Sequence, residues 1–414
     1  MSGKQGDEVM VMSASGRTVA IGKLLVVGML AVTSLAAPRP AMAQTVATAG
    51  KTALPTLDQA FLRAATELFD KVEKSGAETT IVIDPLLDGV TGIQSSATRN
   101  LDRRVAAFVA ERYPHIKVLE FTPENAAKAR FVFIGTFNPI NNAGEPRGER
   151  DAMWICFALV EREAGTVYAR SVSRSIITDV DIAPTASYAD TPVWGLDAAT
   201  RAYIEACQRS QPGKPVDRAY IEQLVAAARI REAAAAYEAG DHRKARDLYR
   251  EVQNLPGGEQ LRVLNGLYLS QTALGETGEA QATFGRMVER GFSLGRLGVM
   301  FLFEPNSTGF NTDRKLSSGY PAWLREIAER AEKKGVCLQV VGHASRTGPE
   351  AVNERLSLGR AQRIVALLAA QEPAMSKRLR PAGVGYREAL VGLPRDDAST
   401  AVDRRVEFRS VPCL

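Results

Sequence analysis

Four cysteines, Cys156, Cys207, Cys337 and Cys413, constrain this chain more than any other feature, because pairing them decides which distant segments must lie side by side. No two form a Cys-x-x-Cys pair, so a structural zinc site is not expected. His115, His242 and His343 are far apart, and no metal ligand set is legible among them. Whether the cysteines pair depends on the compartment. Lys4, Arg17 and Lys23 precede the apolar run Leu24–Ala37, which is followed by Ala41-Met42-Ala43 before Gln44. This is the pattern of an export signal at residues 1–43, cleaved after Ala43. The alternative is a retained anchor, but the run is shorter than the roughly twenty residues that span hydrocarbon. No cysteine lies near the cleavage site, so a lipid-anchored mature N-terminus is not expected.

Export to an oxidising compartment permits two bridges. Cys337 opens the strand-like run Cys337–Val341, and Cys413 ends the run that begins at Val406. If these strands are antiparallel neighbours, the start of one meets the end of the other, leaving Cys156 and Cys207 as the second pair. The alternative is two or more buried free thiols.

With 414 residues, two to four domains are expected. The 45% hydrophobic and 24% charged content is ordinary for globular chains and speaks against long disorder, collagen or coiled coil. Residues 55–210 alternate helix and strand signals, as in a mixed α/β domain. Helical spacing marks Leu57, Phe61, Ala64, Leu68 and Val72, and then Leu101, Val105, Phe108 and Val109. Strand runs stand at Thr79–Ile83, Ile116–Phe121, Phe131–Gly135, Trp154–Val160 and Val167–Val172, the last two joined by a turn at Ala164-Gly165-Thr166. Asn138–Asp151 reads as an exposed loop, and Ile182–Pro192 as a surface connection. Residues 217–292 repeat: Gly240, Ala245 and Tyr249 recur 35 positions later as Gly275, Ala280 and Phe284. That suits two helix–turn–helix units, a short all-α segment with His242 in a solvated turn. Two units are too few to stand alone, so they must pack on a neighbour. They serve either as a peptide-docking groove or as a rigid spacer.

From 297 to 414 the signals are a strand at Val299–Phe303, a helix opened by Pro321 and closed by Gly335, a strand at Val336–Val341, a Gly342–Pro349 loop, a helix over about 350–370, and strands at Ala382–Gly385 and Arg405–Val411. On the long helix Leu356, Arg360, Ile364 and Leu367 share one stripe bordered by Asn353 and Ser357. An arginine within such a stripe either snorkels to its edge or faces a polar pocket. The short polar loop Gly342–Gly348 favours the pocket. A guanidinium beside backbone N–H groups makes a carboxylate site.

Residues 297–414 resemble the OmpA-like peptidoglycan-binding module. The matching residues are Phe301-Leu302-Phe303, Gly342-His343, Asn353 to Ala361, Gly383-Val384-Gly385 and Arg404-Arg405-Val406-Glu407. The resemblance implies an α/β sandwich that holds the diaminopimelate side chain of a wall stem peptide. Arg360 would grip a carboxylate, Asn353 would line the pocket, and Arg404 would belong to the same site. Where that family has an aspartate to meet the ligand's ammonium, this chain has Ser345, and Ala344 replaces a threonine. Arg346 beside it adds repulsion. Losing one charge-assisted partner costs roughly 1.5–3 kcal/mol, about ten- to a hundredfold in affinity. Asp403 is the expected compensation, from the opposite wall.

The repeat segment resembles tetratricopeptide repeats, whose period is about 34. Residues 55–210 resemble the α/β domain of curli-secretion lipoproteins, flagellar accessory proteins and penicillin-binding-protein activators. The match rests on Ile81-Val82-Ile83-Asp84, Ile134-Gly135-Thr136 and Glu163 to Val167. That implies an envelope-associated binding domain. The fold class expected is therefore multidomain α/β: a mixed α/β domain, a helical-repeat segment and a C-terminal OmpA-like sandwich.

Residues 297–414 carry 18 basic and 13 acidic side chains, which helps encounter with acidic stem peptides. No aromatic–basic interleaving argues for nucleic acid. His343 and Ser345 lack a G-x-S-x-G elbow and an orienting acid, Asp84 and Asp88 sit in a loop after a strand, and no phosphate-binding glycine motif occurs. No enzyme, cofactor or metal is expected. Nor do eight alternating ten-residue strands occur, so residence at the outer membrane would need a partner. The expected protein is periplasmic, binds peptidoglycan and engages an unknown envelope protein. The alternative is a scaffold or regulator of a wall-synthesis or secretion machine whose pocket Ser345 has retired.

Overall fold

The computed structural model of the protein describes residues 53–72, 79–313 and 317–413. The expected export signal lies outside them. Among the described residues no helix is long and apolar enough to cross a membrane.

The chain opens with α1 (Leu57–Phe69), whose first turn is closed by a Thr56–Gln59 capping box. Then come β1 (Thr79–Ile83), α2 (Ser96–Arg112), β2 (Ile116–Leu119), α3 (Pro123–Lys128), β3 (Phe131–Ile140), β4 (Ala152–Glu161) and β5 (Thr166–Ile176). The sheet order is β2-β1-β3-β4-β5, with β1 parallel to both neighbours and β3 to β5 an antiparallel meander. Gly165 takes the left-handed conformation that the expected β4–β5 turn requires (φ 62°). All ten residues of β3 are buried, because α1 and α2 cover one face and later helices the other.

The run expected as a loop from Asn138 continues β3 to Ile140. Asn138 pairs with Trp154 in the ladder, and Gln208 donates to its buried amide oxygen at 3.1 Å. The true loop, 141–151, is not wholly exposed: Arg150 is buried and donates to the carbonyl oxygens of Pro146, Gly148 and Ala389.

Next come α4 (Ala186–Ala189), β6 (Val193–Trp194), α5 (Ala198–Gln208) and α6 (Arg218–Glu222). Cys156 on β4 is bonded to Cys207 on α5. Two helical hairpins follow, α7 (Leu224–Glu238) with α8 (His242–Gln253), and α9 (Leu261–Ala273) with α10 (Thr277–Ser293). The repeated positions do the same work in each: Gly240 and Gly275 turn the chain at φ 80° and 75°, and Ala245, Ala280, Tyr249 and Phe284 are buried. A Cβ on Gly266 would lie 2.0 Å from the Tyr249 ring, so this glycine lets the aromatic plug seat. His242 is no solvated turn residue; it opens α8 with its ring 5.0 Å from that of Tyr237.

The remaining elements are β7 (Arg296–Val299), α11 (Tyr320–Lys334), β8 (Cys337–Gly342), α12 (Glu350–Gln371), β9 (Leu379–Gly383) and β10 (Val406–Val411). They build a second mixed sheet in the order β6-β7-β10-β8-β9. The strand expected at Val299–Phe303 lies earlier. Val299 pairs with Val406, the first residue of β10, so residues beyond it have no ladder partner there. Phe301 instead packs in an aromatic cluster with Phe310, Tyr320 and Trp323. Likewise the strand expected at Ala382–Gly385 lies at Leu379–Gly383, parallel to β8. Val411 on β10 pairs with Cys337 on β8, and Cys337 is bonded to Cys413 as the strand argument required. Loops of 51 and 76 residues correspond to about 4 kcal/mol per bridge on the chain-entropy account.

Residues 53–414 form one compact unit. Edge strand β6 comes from before the helical hairpins, and the core under the first sheet takes in Val391, Leu393 and Val402 from near the C-terminus. The Ile182–Pro192 connection is partly built in, carrying α4 and a bridge from Pro184 to Ser95.

Two carboxylates inside this unit set a pH dependence. Asp84, 5% exposed at the end of β1, accepts the Tyr220 hydroxyl at 3.0 Å, yet burial pushes its pKa up to about 6. Asp102 on α2, accepting the Leu86 N–H, is pushed up to about 8, also by burial. Between pH 4 and 8 the folded protein therefore holds protons that the unfolded chain has lost, so stability falls as pH rises through that window. Asp84→Asn and Asp102→Asn should each flatten the decline. Urea midpoints at pH 4.5 and 8.5 would show this as a smaller wild-type-like loss in the variants.

Candidate functional site

The long helix α12 is brought down onto the second sheet by two glycines. A Cβ on Gly342 would lie 2.0 Å from the Ser357 carbonyl oxygen, and one on Gly383 would lie 2.4 Å from the Leu358 nitrogen. The buried stripe of α12 is Asn353, Ser357, Arg360, Ala361, Ile364 and Leu368. The expected stripe put Leu356 and Leu367 inside and Asn353 and Ser357 at its border. The order is reversed because the polar pair faces backbone that needs partners. Ser357 accepts the Gly385 N–H at 2.9 Å and donates to the Glu354 carbonyl. Asn353 donates to the Thr347 carbonyl at 2.6 Å, tying the Gly342–Pro349 loop to the helix.

Ser345, 4% exposed in that loop, donates to an Asp396 carboxylate oxygen at 3.3 Å. Asp396 also forms an ion pair with Arg404 at 2.5 Å, and Arg404 donates to the Asp397 carbonyl at 3.0 Å. Arg360 donates from Nε to the Ser307 carbonyl (3.0 Å) and from Nη2 to the Glu304 carbonyl (3.2 Å), with its guanidinium 4.8 Å from the Phe303 ring. Burial lowers its pKa, while Asp396 opposes that and Arg404 adds to it, so the three charges feel one another. Ser345 and Arg404 thus both bond to Asp396, Arg360 feels its charge, and Asn353 holds the Ser345 loop to the helix. Arg346 turns away, its guanidinium 5.5 Å from the Tyr386 ring.

Asp403 is not on the opposite wall of a pocket. It is fully buried, and its carboxylate accepts the N–H groups of Leu390 (2.6 Å), Val391 (3.0 Å) and Gly392 (2.8 Å). Three converging amides are the partner a buried carboxylate needs, so it shapes the 390–392 turn. Asp396 was not singled out in the sequence. Its signal there is only an Asp-Asp pair eight residues before Arg404, and its nearness to Ser345 comes from tertiary folding alone.

Behind the loop lies a second charge cluster. Glu407 on β10 is fully buried and accepts from Arg296 (2.8 Å), Arg405 (2.7 Å) and Arg409 (2.8 Å); against the cost of burial, neighbouring His343 with Arg405 and Arg296 holds its pKa far below the usual carboxylate range. His343 stands 3.6 Å from it; burial and Arg405 push its pKa down to about 4, so the ring is neutral at pH 7. Neither ring nitrogen bonds to Ser345. His343, Glu388 and Glu407 have ligand atoms within 4.8 Å of one another, but arginines occupy both carboxylates and would repel a cation.

No family model and no curated protein matches the chain. It is similar in part to a number of solved structures. The OmpA-like domain of FopA1 from Francisella tularensis subsp. tularensis SCHU S4 is 20% identical, over 28% of this chain and 71% of that one, with a TM-score of 0.23. The peptidoglycan-associated lipoprotein from Burkholderia pseudomallei is 22% identical over 28% and 89%, also at 0.23. The cell wall anchor of the T6SS from Pseudomonas aeruginosa is 20% identical over 31% and 95%, at 0.24.

Removing the Glu407 charge should leave the fully buried Arg405 without its partner. Glu407→Gln is therefore expected to cost roughly 3–5 kcal/mol, read as a lowered urea midpoint with unchanged slope.

Proposed function

We propose that this is an exported envelope protein that binds peptidoglycan noncovalently through residues 297–414, while residues 55–210 and the tetratricopeptide-like hairpins of 217–292 engage envelope partners. The observation that carries the reading is the Ser345–Asp396 hydrogen bond. A carboxylate stands one hydrogen bond away from the position where the resembling motif has its aspartate. Asp396 can therefore meet an ammonium group, and Arg360 and Arg404 a carboxylate, which is the charge pattern of a diaminopimelate side chain. The motif resemblance over the same residues supports this, as do the two disulfides, which suit an oxidising compartment. The periplasm, reached through a cleaved signal, is the proposed location.

A second reading has its own observation. Arg360 already spends two nitrogens on the Ser307 and Glu304 carbonyls, and Asp396 is paired with Arg404. A pocket satisfied from within suits a scaffold or regulator that has given up wall binding.

Sedimentation of the mature chain with isolated sacculi separates the two. Wall binding requires co-pelleting that falls ten- to a hundredfold in Arg360→Ala and Asp396→Ala, whereas Asp403→Asn should lower stability and leave the affinity of the folded protein unchanged. Absence of wild-type pelleting would hand the chain to the scaffold reading.

A further inference from the structure

A wide opening lies between the α9–α10 hairpin and the N-terminal turns of α11. It is a cleft of about 850 Å³, within the range of ligand sites in proteins. Its floor rests on the buried rings of Phe284, Tyr320 and Trp323, Phe284 and Trp323 stacked 5.2 Å apart, and the apolar groups partly exposed along it are Tyr268, Met300 and Leu302. The polar atoms of this floor are spent inside the protein. Trp323 donates its indole N–H to the Tyr268 hydroxyl at 2.9 Å, and the Tyr320 hydroxyl accepts the Leu302 N–H at 2.8 Å. What remains for a visitor is the apolar surface of Tyr268, Met300 and Leu302, which selects apolar groups.

The charges around the cleft are unequal. Arg404, at one end, is neutralised by Asp396. Glu326 is buried and answered by Arg330. Asp190 is exposed on the rim, forms no ion pair among the described residues, and lies near enough to Tyr237 to help burial raise that phenol's pKa. The uncompensated charge of the cleft is therefore negative and stands beside an aromatic ring, a setting that favours a cation. Along the same wall Gln281 donates to Glu326 and keeps its amide oxygen free for a visiting backbone N–H.

We infer that this cleft binds an extended segment of a partner protein, with an apolar side chain against Tyr268, Met300 and Leu302 and a lysine or arginine at Asp190. The inference rests on the reading of the helical hairpins as partner-engaging and gives that partner its chemistry. The cleft shares Arg404 with the wall pocket, so its test varies lining residues that are not in that pocket.

The test uses the mature chain and two fluorescein-labelled, amidated hexapeptides, one alternating lysine with leucine and phenylalanine, the other with glutamate for lysine. Fluorescence polarisation should show the lysine peptide bound at least tenfold more tightly. Ala273 lines the cleft and is exposed, so Ala273→Trp fills the opening without losing a buried contact; it should weaken binding tenfold or more at an unchanged urea midpoint. Asp190→Lys should reverse the preference between the peptides. Equal binding of both peptides, no binding of either, or binding indifferent to Ala273→Trp would overturn the inference. Sacculus pelleting measured on the same variants should not change, and a failure of pelleting with peptide binding intact would count against the wall reading alone.

Discussion

The second sheet is organised around one buried carboxylate. Glu407 sits on β10, the strand with β7 on one side and β8 on the other, and it is met by arginines from β7, from the residue preceding β10 and from β10 itself. A carboxylate this deep is tolerable only with several charge-assisted partners; of these Arg405 is itself fully buried, while Arg296 and Arg409 reach in from the surface. The arrangement is therefore mutually dependent. It fixes the register of three strands, and it places His343, whose neighbours form the polar loop, against the same group.

That loop acquires its geometry from contacts that hold it to α12. Gly342 and Gly383 permit the helix to approach, and Ser357 and Asn353 then supply the partners that the loop backbone lacks. Once the helix is seated, Arg360 is largely buried and lies over Phe303. Asp403 acts at a distance from this, by holding the 390–392 turn from which the chain runs on to Asp396.

The helical hairpins fit the same logic. Two repeats cannot bury their own faces, and these lean on both sheets: Arg99 of α2 pairs with Glu238 of α7, and Phe284 of α10 stacks on Trp323 of α11. The aromatic cleft is what this leaning leaves open, so its shape belongs jointly to the hairpins and to the C-terminal sheet layer.

Local chemistry was legible from residue order alone. Periodicity located α1, α2, α11 and α12, the repeat offset located both hairpins, and the antiparallel pairing of the last strands foretold Cys337–Cys413. These signals are carried within one element or between two recognisable ones, where backbone geometry dictates which residues share a face. What residue order did not disclose was set by long-range docking. The strand at Arg296–Val299 is placed by where β10 begins, Asn138 is buried because Gln208 reaches it, and β6 crosses into a sheet otherwise made a hundred residues later. At the candidate site Arg360 and Asn353 were nameable from their spacing and Ser345 from the family resemblance, but Asp403 was expected where Asp396, not named at all, is found near Ser345. Which of two aspartates seven residues apart faces a pocket depends on how a turn is closed, and only the folded chain brings the amides of residues 390–392 to one of them and Ser345 to the other.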